Sequence, residues 1–169
     1  DVEVHLVERR KEVHPIIIDL DIRQTEKCRM YTDETITNFI NIVNEVIMLI
    51  YPDIDKTKVQ AFILEKKYKE QVAKETETHK LYKDGIHIVY PYVNVSYKVQ
   101  LYIRDLIINN DRYYDRMGQI FHFNIQQNNN NTLFHDLYDE CIIKNPETSN
   151  GWFLYGCNKP GSYRYELKY

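Results

Sequence analysis

The chain has 169 residues, 43% of them hydrophobic and 28% charged, the proportions of one folded domain rather than of a disordered or fibrous segment. Its 22 Lys and Arg against 25 Asp and Glu leave a net charge of −3. That balance argues against a module that passively coats nucleic acid, but not against an enzyme that gathers carboxylates around metal ions.

No apolar run is long enough to cross a bilayer, so no membrane is expected as a partner. The charged opening Asp1-Val2-Glu3-Val4-His5 does not read as a secretory leader. Cys28, Cys141 and Cys157 are scattered, with no C-x-x-C pair, which predicts an intracellular, reducing setting. A chain that opens without Met and stops inside a predicted strand reads as a domain excised from something longer.

In chain order, residues 2–7 alternate apolar and polar and predict a strand. Residues 13–20 form a mostly apolar, β-branched run suited to a central strand. Asp33 is placed to cap a helix whose apolar face is Ile36, Phe39, Ile40, Val43, Val46, Ile47 and Ile50, ended by Pro52. Residues 59–64 predict a second buried strand, followed by a polar, charged stretch to Lys80. Residues 85–90 predict a third strand, stopped by Pro91.

Residues 96–110 predict a helix, 126–131 a low-complexity loop, and 133–143 fit helix or strand equally. Residues 151–157 and 163–169 predict two strands joined by the turn Lys159-Pro160-Gly161-Ser162. The fold class is therefore α+β, or α/β-like, around one sheet. Three basic patches, 9–11, 66–69 and 112–116, are candidates for phosphate contact, with Tyr113 and Tyr114 placed to stack on bases.

The chemistry begins at Ile16-Ile17-Ile18-Asp19-Leu20-Asp21. Side chains at i and i+2 of a strand share a face, so Asp19 and Asp21 sit side by side with Leu20 turned into the core. Two parallel carboxylates at the end of a buried strand call for a counterion, as in sites that hold divalent metals. In Lys83-Asp84-Gly85-Ile86-His87, the same alternation puts Lys83, Gly85 and His87 on one face. Gly85 there leaves room for a close backbone or ligand, and the cation and imidazole on either side suit a triphosphate.

The D-x-D strand followed by a small-x-His strand resembles the archaeo-eukaryotic primase superfamily. Asp139-Glu140-Cys141-Ile142-Ile143 and Trp152-Phe153-Leu154-Tyr155-Gly156-Cys157-Asn158-Lys159-Pro160-Gly161 resemble its third motif and following strand, closest to the W-x-[ML]-Y-G-S-x-K-P-G signature of viral primase-helicases. The resemblance implies a primase catalytic fold with an RRM-like sheet carrying the metal site, over residues 1–169. It implies that Asp19, Asp21 and Asp139 hold two Mg²⁺ or Mn²⁺ ions. Lys83, Gly85, His87 and Lys159 are then implied to receive the triphosphate of an NTP or dNTP. Single-stranded DNA template and a fused or associated helicase are the implied partners, at a virus replication site in the host cytoplasm or nucleus. Phe153 departs from the arginine that cellular PrimPol carries, and Cys157 from the viral serine.

Two other readings compete. A primase-like domain without strong catalysis would serve as a DNA-binding module for a fused helicase. Asp53 with Glu65 and Lys67 loosely matches the P-D…E-x-K pattern of a nuclease superfamily.

Overall fold

A computed structural model describes residues 7–8, 11–75, 80–124, 134–143, 151–153, 155–158 and 162–168. The fold is α+β: a mixed assembly of helices and an antiparallel sheet. Its spine is two long strands, β2 (Val13–Gln24) and β5 (Lys80–Ser96), paired antiparallel along most of their length. On the far edge of β5 lie β3 (Phe62–Glu65) and β4 (Val72–Glu75), and β7 (Glu166–Leu167) extends the sheet beyond β3. A separate two-stranded ribbon joins β1 (Val7–Glu8) to β6 (Trp152–Phe153).

Alternation along β2 separates the two faces of the sheet. Ile16, Ile18, Leu20 and Ile22 are at most 1% exposed, and Tyr90, Ile88 and Ile86, opposite the first three, are as deeply buried. The Tyr90 hydroxyl, on this face, donates to Asn44 Oδ1 of α1 (Asp33–Ile50) at 2.9 Å, so this is the face that the helices cover. Helix α1 buries Ile36, Phe39, Val43, Val46 and Ile47, as the three-and-four spacing predicts. Helix α2 (Tyr97–Asn109) adds Ile103 and Ile107, and α3 (Asp111–Ile120) adds Tyr113 and Met117. Phe39 meets Phe121 and Tyr138 edge-on, with ring centroids 5.7 and 6.2 Å apart. Among the described residues, no helix is long and apolar enough to cross a membrane.

Several local expectations need correction. The N-cap of α1 is Thr32, not Asp33: its side chain accepts from Thr35 N–H, and Thr35 reciprocates in a capping box. Strand β2 does not end at its acids but runs on to Gln24, because β5 is long enough to keep pairing with it. Pro91 does not stop β5. The register jumps there, from Ile16 opposite Tyr90 to Pro15 opposite Asn94, so the missing proline N–H falls in a bulge where no ladder bond is needed. The polar stretch before Lys80 includes β4, and α3 was not foreseen. Residues 2–6 and the low-complexity 126–131 lie outside the described residues.

The third basic patch is also reassigned. Arg112 and Arg116 reach Glu45 of α1 at 3.4 and 2.8 Å, Tyr113 is 2% exposed, and Tyr114 packs edge-on against Phe134. These tyrosines brace α3 rather than offering a stacking platform.

Candidate active site

The face of the sheet away from the helices carries the acids. Register places Asp19 opposite His87, Asp21 opposite Gly85, and Arg23 opposite Lys83, and directly paired residues of antiparallel strands share a face. His87 Nε2 lies 3.6 Å from Asp19 Oδ1. The Lys83 ammonium sits 2.8 Å from Asp21, with Arg23 Nη2 at 3.5 Å from the same carboxylate. A Cβ on Gly85 would stand 3.1 Å from the Leu20 carbonyl oxygen, so the glycine lets the two strands close beside Asp21. The close neighbour is therefore backbone, one of the two possibilities that the sequence left open.

Asp139 arrives by a different device. The segment 134–143 is made of turns, and its one sheet-like contact is an antiparallel bridge between Tyr138 and Leu20. Asp21 N–H donates to the Leu137 carbonyl at 2.8 Å, and Asp139 N–H donates to the Asp19 carbonyl at 3.0 Å. Two backbone bonds thus seat the third acid beside the first two. The residues after it do not continue as a strand: Cys141 N–H donates back to Asp139 Oδ1 at 2.8 Å, turning the chain.

His87 is enclosed by aromatic rings. Trp152 stacks on it with centroids 4.1 Å apart, and Tyr165 stacks with it at 3.7 Å. Trp152 is placed by the β1–β6 ribbon, where it pairs with Glu8. Tyr165 is placed by reciprocal bonds to the segment after β6: Gly156 N–H to its carbonyl, and its own N–H to Cys157 O. Gly156 has φ +76, the left-handed conformation that glycine tolerates at this bend. Lys66 Nζ lies 4.3 Å from the Tyr165 ring centroid, so a cation lies against the Tyr165 ring.

The electrostatics follow from this crowding. Asp19 is raised to about 7, first by burial and then by the charges of Asp21 and Asp139, with Lys83 and Lys66 pulling the other way. Tyr165 is pushed up by burial and by Asp19 and Asp21, so its hydroxyl keeps its proton. Among the described residues, no three His, Cys, Asp or Glu side chains form a ready-made metal-holding group. The chemistry of the donors nonetheless fits a hard divalent cation: three neighbouring carboxylates, one of which burial and then the charges of the other two hold protonated up to about pH 7. Asp19, Asp21 and Asp139 are the residues that would hold it.

Of the predicted site residues, the structure brings together Asp19, Asp21, Asp139, Lys83, Gly85 and His87, while Lys159 lies outside the described residues. Beside it, Asn158 Nδ2 donates to the Ser162 carbonyl at 2.8 Å across the predicted turn. The nuclease set fares differently. Glu65 is paired with Arg29 at 2.8 Å and Lys168 at 2.9 Å, while Asp53 and Lys67 are exposed on a turn and a loop.

Sequence reasoning missed Arg104, which is 4% exposed under the Asp139 segment, and the pairing of Trp152 with Tyr165 around His87. The signal for Arg104 was present: Gln100, Arg104 and Ile107 fall on one helical line, which puts two polar residues on an apolar face.

An antiparallel sheet covered by helices on one face and bearing a D-x-D strand, a facing histidine strand and a third acid on the other is the arrangement expected of an archaeo-eukaryotic primase domain. The family model described as "C962R protein N-terminal AEP domain" matches residues 1–169, and the chain belongs to that family. It is also 32% identical over 168 residues to an Acanthamoeba polyphaga mimivirus protein provisionally named helicase L207/L206. That alignment takes in 98% of this chain and 16% of the relative, so the chain corresponds to a small part of the mimivirus protein.

Proposed function

We propose that this domain carries out template-directed nucleotidyl transfer, primer synthesis or DNA polymerisation, with divalent metal ions held by Asp19, Asp21 and Asp139. The observation that carries this reading is the seating of Asp139 against the Asp19 backbone, which gathers three acids on the face that also bears His87 and Lys83.

In this reading, Asp19 and Asp21 act from adjacent outward positions of a rigid strand, and Asp139 closes the set. The bound Mg²⁺ or Mn²⁺ ions would supply a more acidic primer hydroxyl and neutralise charge on the departing pyrophosphate. His87, its ring fixed by two aromatic neighbours, would donate an N–H to the triphosphate of an incoming NTP or dNTP. Lys83 would exchange Asp21 for a phosphate oxygen, and Gly85 lets β5 close on the Leu20 carbonyl beside Asp21. Lys159 is proposed as a further phosphate contact, on the strength of the sequence motif alone. No protein nucleophile is required, since the work is holding reactants in line.

The domain is proposed to work as part of a longer viral primase-helicase at a virus replication site, in a reducing compartment that suits its free Cys28, Cys141 and Cys157. The name of the mimivirus relative, and the small share of it that this chain spans, support that placement. A second reading, a catalytically weak module that grips DNA for the helicase, draws on the Lys83 ammonium, which already neutralises Asp21.

Primer synthesis on single-stranded DNA with Mn²⁺ or Mg²⁺ separates the two readings. Products that disappear in an Asp19→Ala/Asp21→Ala protein support the polymerase. DNA binding by the full-length protein without any incorporation supports the module.

A further inference from the structure

Arg104 is a charged side chain buried beneath the segment that delivers the third acid. It projects from α2, and its donors spread along one turn of that segment. Nε donates to the Tyr138 carbonyl at 2.7 Å, and Nη2 donates to the His135 carbonyl at 2.9 Å. Nη2 also lies 3.3 Å from His135 Nδ1, and Nη1 lies 3.8 Å from Glu140. Burying a guanidinium costs free energy unless its donors are engaged, and here they are engaged mainly by backbone carbonyls.

The position of those carbonyls matters. Leu137 and Asp139 bond β2 from one side of the segment, while His135 and Tyr138 bond Arg104 from the other. The segment has no regular strand or helix among its described residues, so its register is set by these bonds together with the buried Phe134, Leu137 and Tyr138. Tyr138, whose carbonyl Arg104 holds, immediately precedes Asp139.

We infer that Arg104 is a positioning residue for the metal site: it fixes the Tyr138 carbonyl so that the Asp139 carboxylate stays presented beside Asp19 and Asp21. This rests on the metal-binding reading above. A lysine could reach one carbonyl but cannot span two with a planar fork. Groups that orient a metal ligand from behind are commonly worth ten- to a hundredfold in metal affinity.

The test is Mn²⁺ binding followed by the electron paramagnetic resonance of free Mn²⁺, which needs no turnover. Arg104→Lys should weaken binding about tenfold. Arg104→Ala should weaken it further, and millimolar guanidinium, entering the space left behind, should restore much of the loss. Ile107→Ala, on the same buried face of α2, serves as the control for simple destabilisation and should leave affinity near wild type. If Arg104→Ala does not fold, Arg104→Lys beside Ile107→Ala still decides the matter. Wild-type affinity in Arg104→Lys, or an equal loss in Ile107→Ala, overturns the inference alone. A wild-type protein that binds no Mn²⁺ overturns the metal reading and this inference with it.

Discussion

The imidazole of His87 lies against the indole of Trp152, 4.1 Å between centroids and 28° from parallel, and Trp152 is the chain's single tryptophan. The protein thus carries its own optical probe at the proposed triphosphate contact. Adding Mn²⁺ with nucleotide should change the emission of Trp152, and His87→Ala should remove most of that change while leaving the protein folded. Emission that does not respond to nucleotide in a protein shown by other means to bind it would remove His87 from the contact.

Asp19 sets a pH dependence. Its carboxyl is raised to about 7 in the metal-free protein, so Mn²⁺ must displace a proton there below that pH. Apparent Mn²⁺ affinity should therefore climb as pH rises toward about 7 and level off above it. Stability runs the opposite way. A carboxyl with a raised folded-state pKa contributes stability that is fully present below its unfolded value, near 4, and is lost as pH rises through about 7. Metal-free Asp19→Asn should consequently melt above wild type at pH 8 and close to it at pH 4. Thermal unfolding with a chelator present checks the sign.

Gly85→Ala puts a methyl 3.1 Å from the Leu20 carbonyl, and that neighbour is backbone that cannot swing aside. The strands must part by a few tenths of an ångström just where Asp21 faces Gly85. A net loss of about 1 kcal/mol is expected, the crowding outweighing the usual gain from replacing a strand glycine. Incorporation should fall by more than that stability loss explains, because a small displacement of aligned reactants is costly. Calorimetry beside a primer-extension assay would show both.

Glu65→Ala discriminates the nuclease pattern from a structural role. Glu65 is shared by Arg29 and Lys168, and Arg29 also grips Asp84 through Nε and Nη2 at 2.9 and 3.2 Å. Removing the shared acid takes one of two carboxylate partners from each cation, Arg29 keeping Asp84 and Lys168 keeping Asp33, at a cost of about 2 kcal/mol. Melting should drop by roughly 5 °C with Mn²⁺ affinity unchanged. DNA cleavage that is lost in Glu65→Ala and kept in Asp19→Ala would restore the nuclease.

How much of this was legible in the chain depends on how far each feature reaches. The outward pair Asp19 and Asp21, and the face shared by Lys83, Gly85 and His87, follow from a two-residue period and could be read directly. Strand ends could not. Gln24 remains in β2 because Tyr82 lies opposite it, and Pro91 survives in β5 because a bulge absorbs it; both depend on a distant partner. The approach of Asp139 was readable only through resemblance, since two backbone bonds to β2 leave no trace in local pattern. Trp152 heads the signature segment and Tyr165 falls in a predicted strand, but only the folded chain puts them on either side of one imidazole.

The Leu20–Tyr138 bridge also orders events in time. Asp19 and Asp21 leave the ribosome first, and the residues that seat Asp139 emerge only after both long strands and helices α1 to α3. Until then Asp19 and Asp21 have no third acid beside them, and the proposed metal site holds two of its three carboxylates. Within this domain, the three acids therefore stay apart until the segment around Asp139 has emerged. The electrostatic strain of three crowded acids falls on β2 and β5 after both have emerged, and before β6 and β7 complete the sheets.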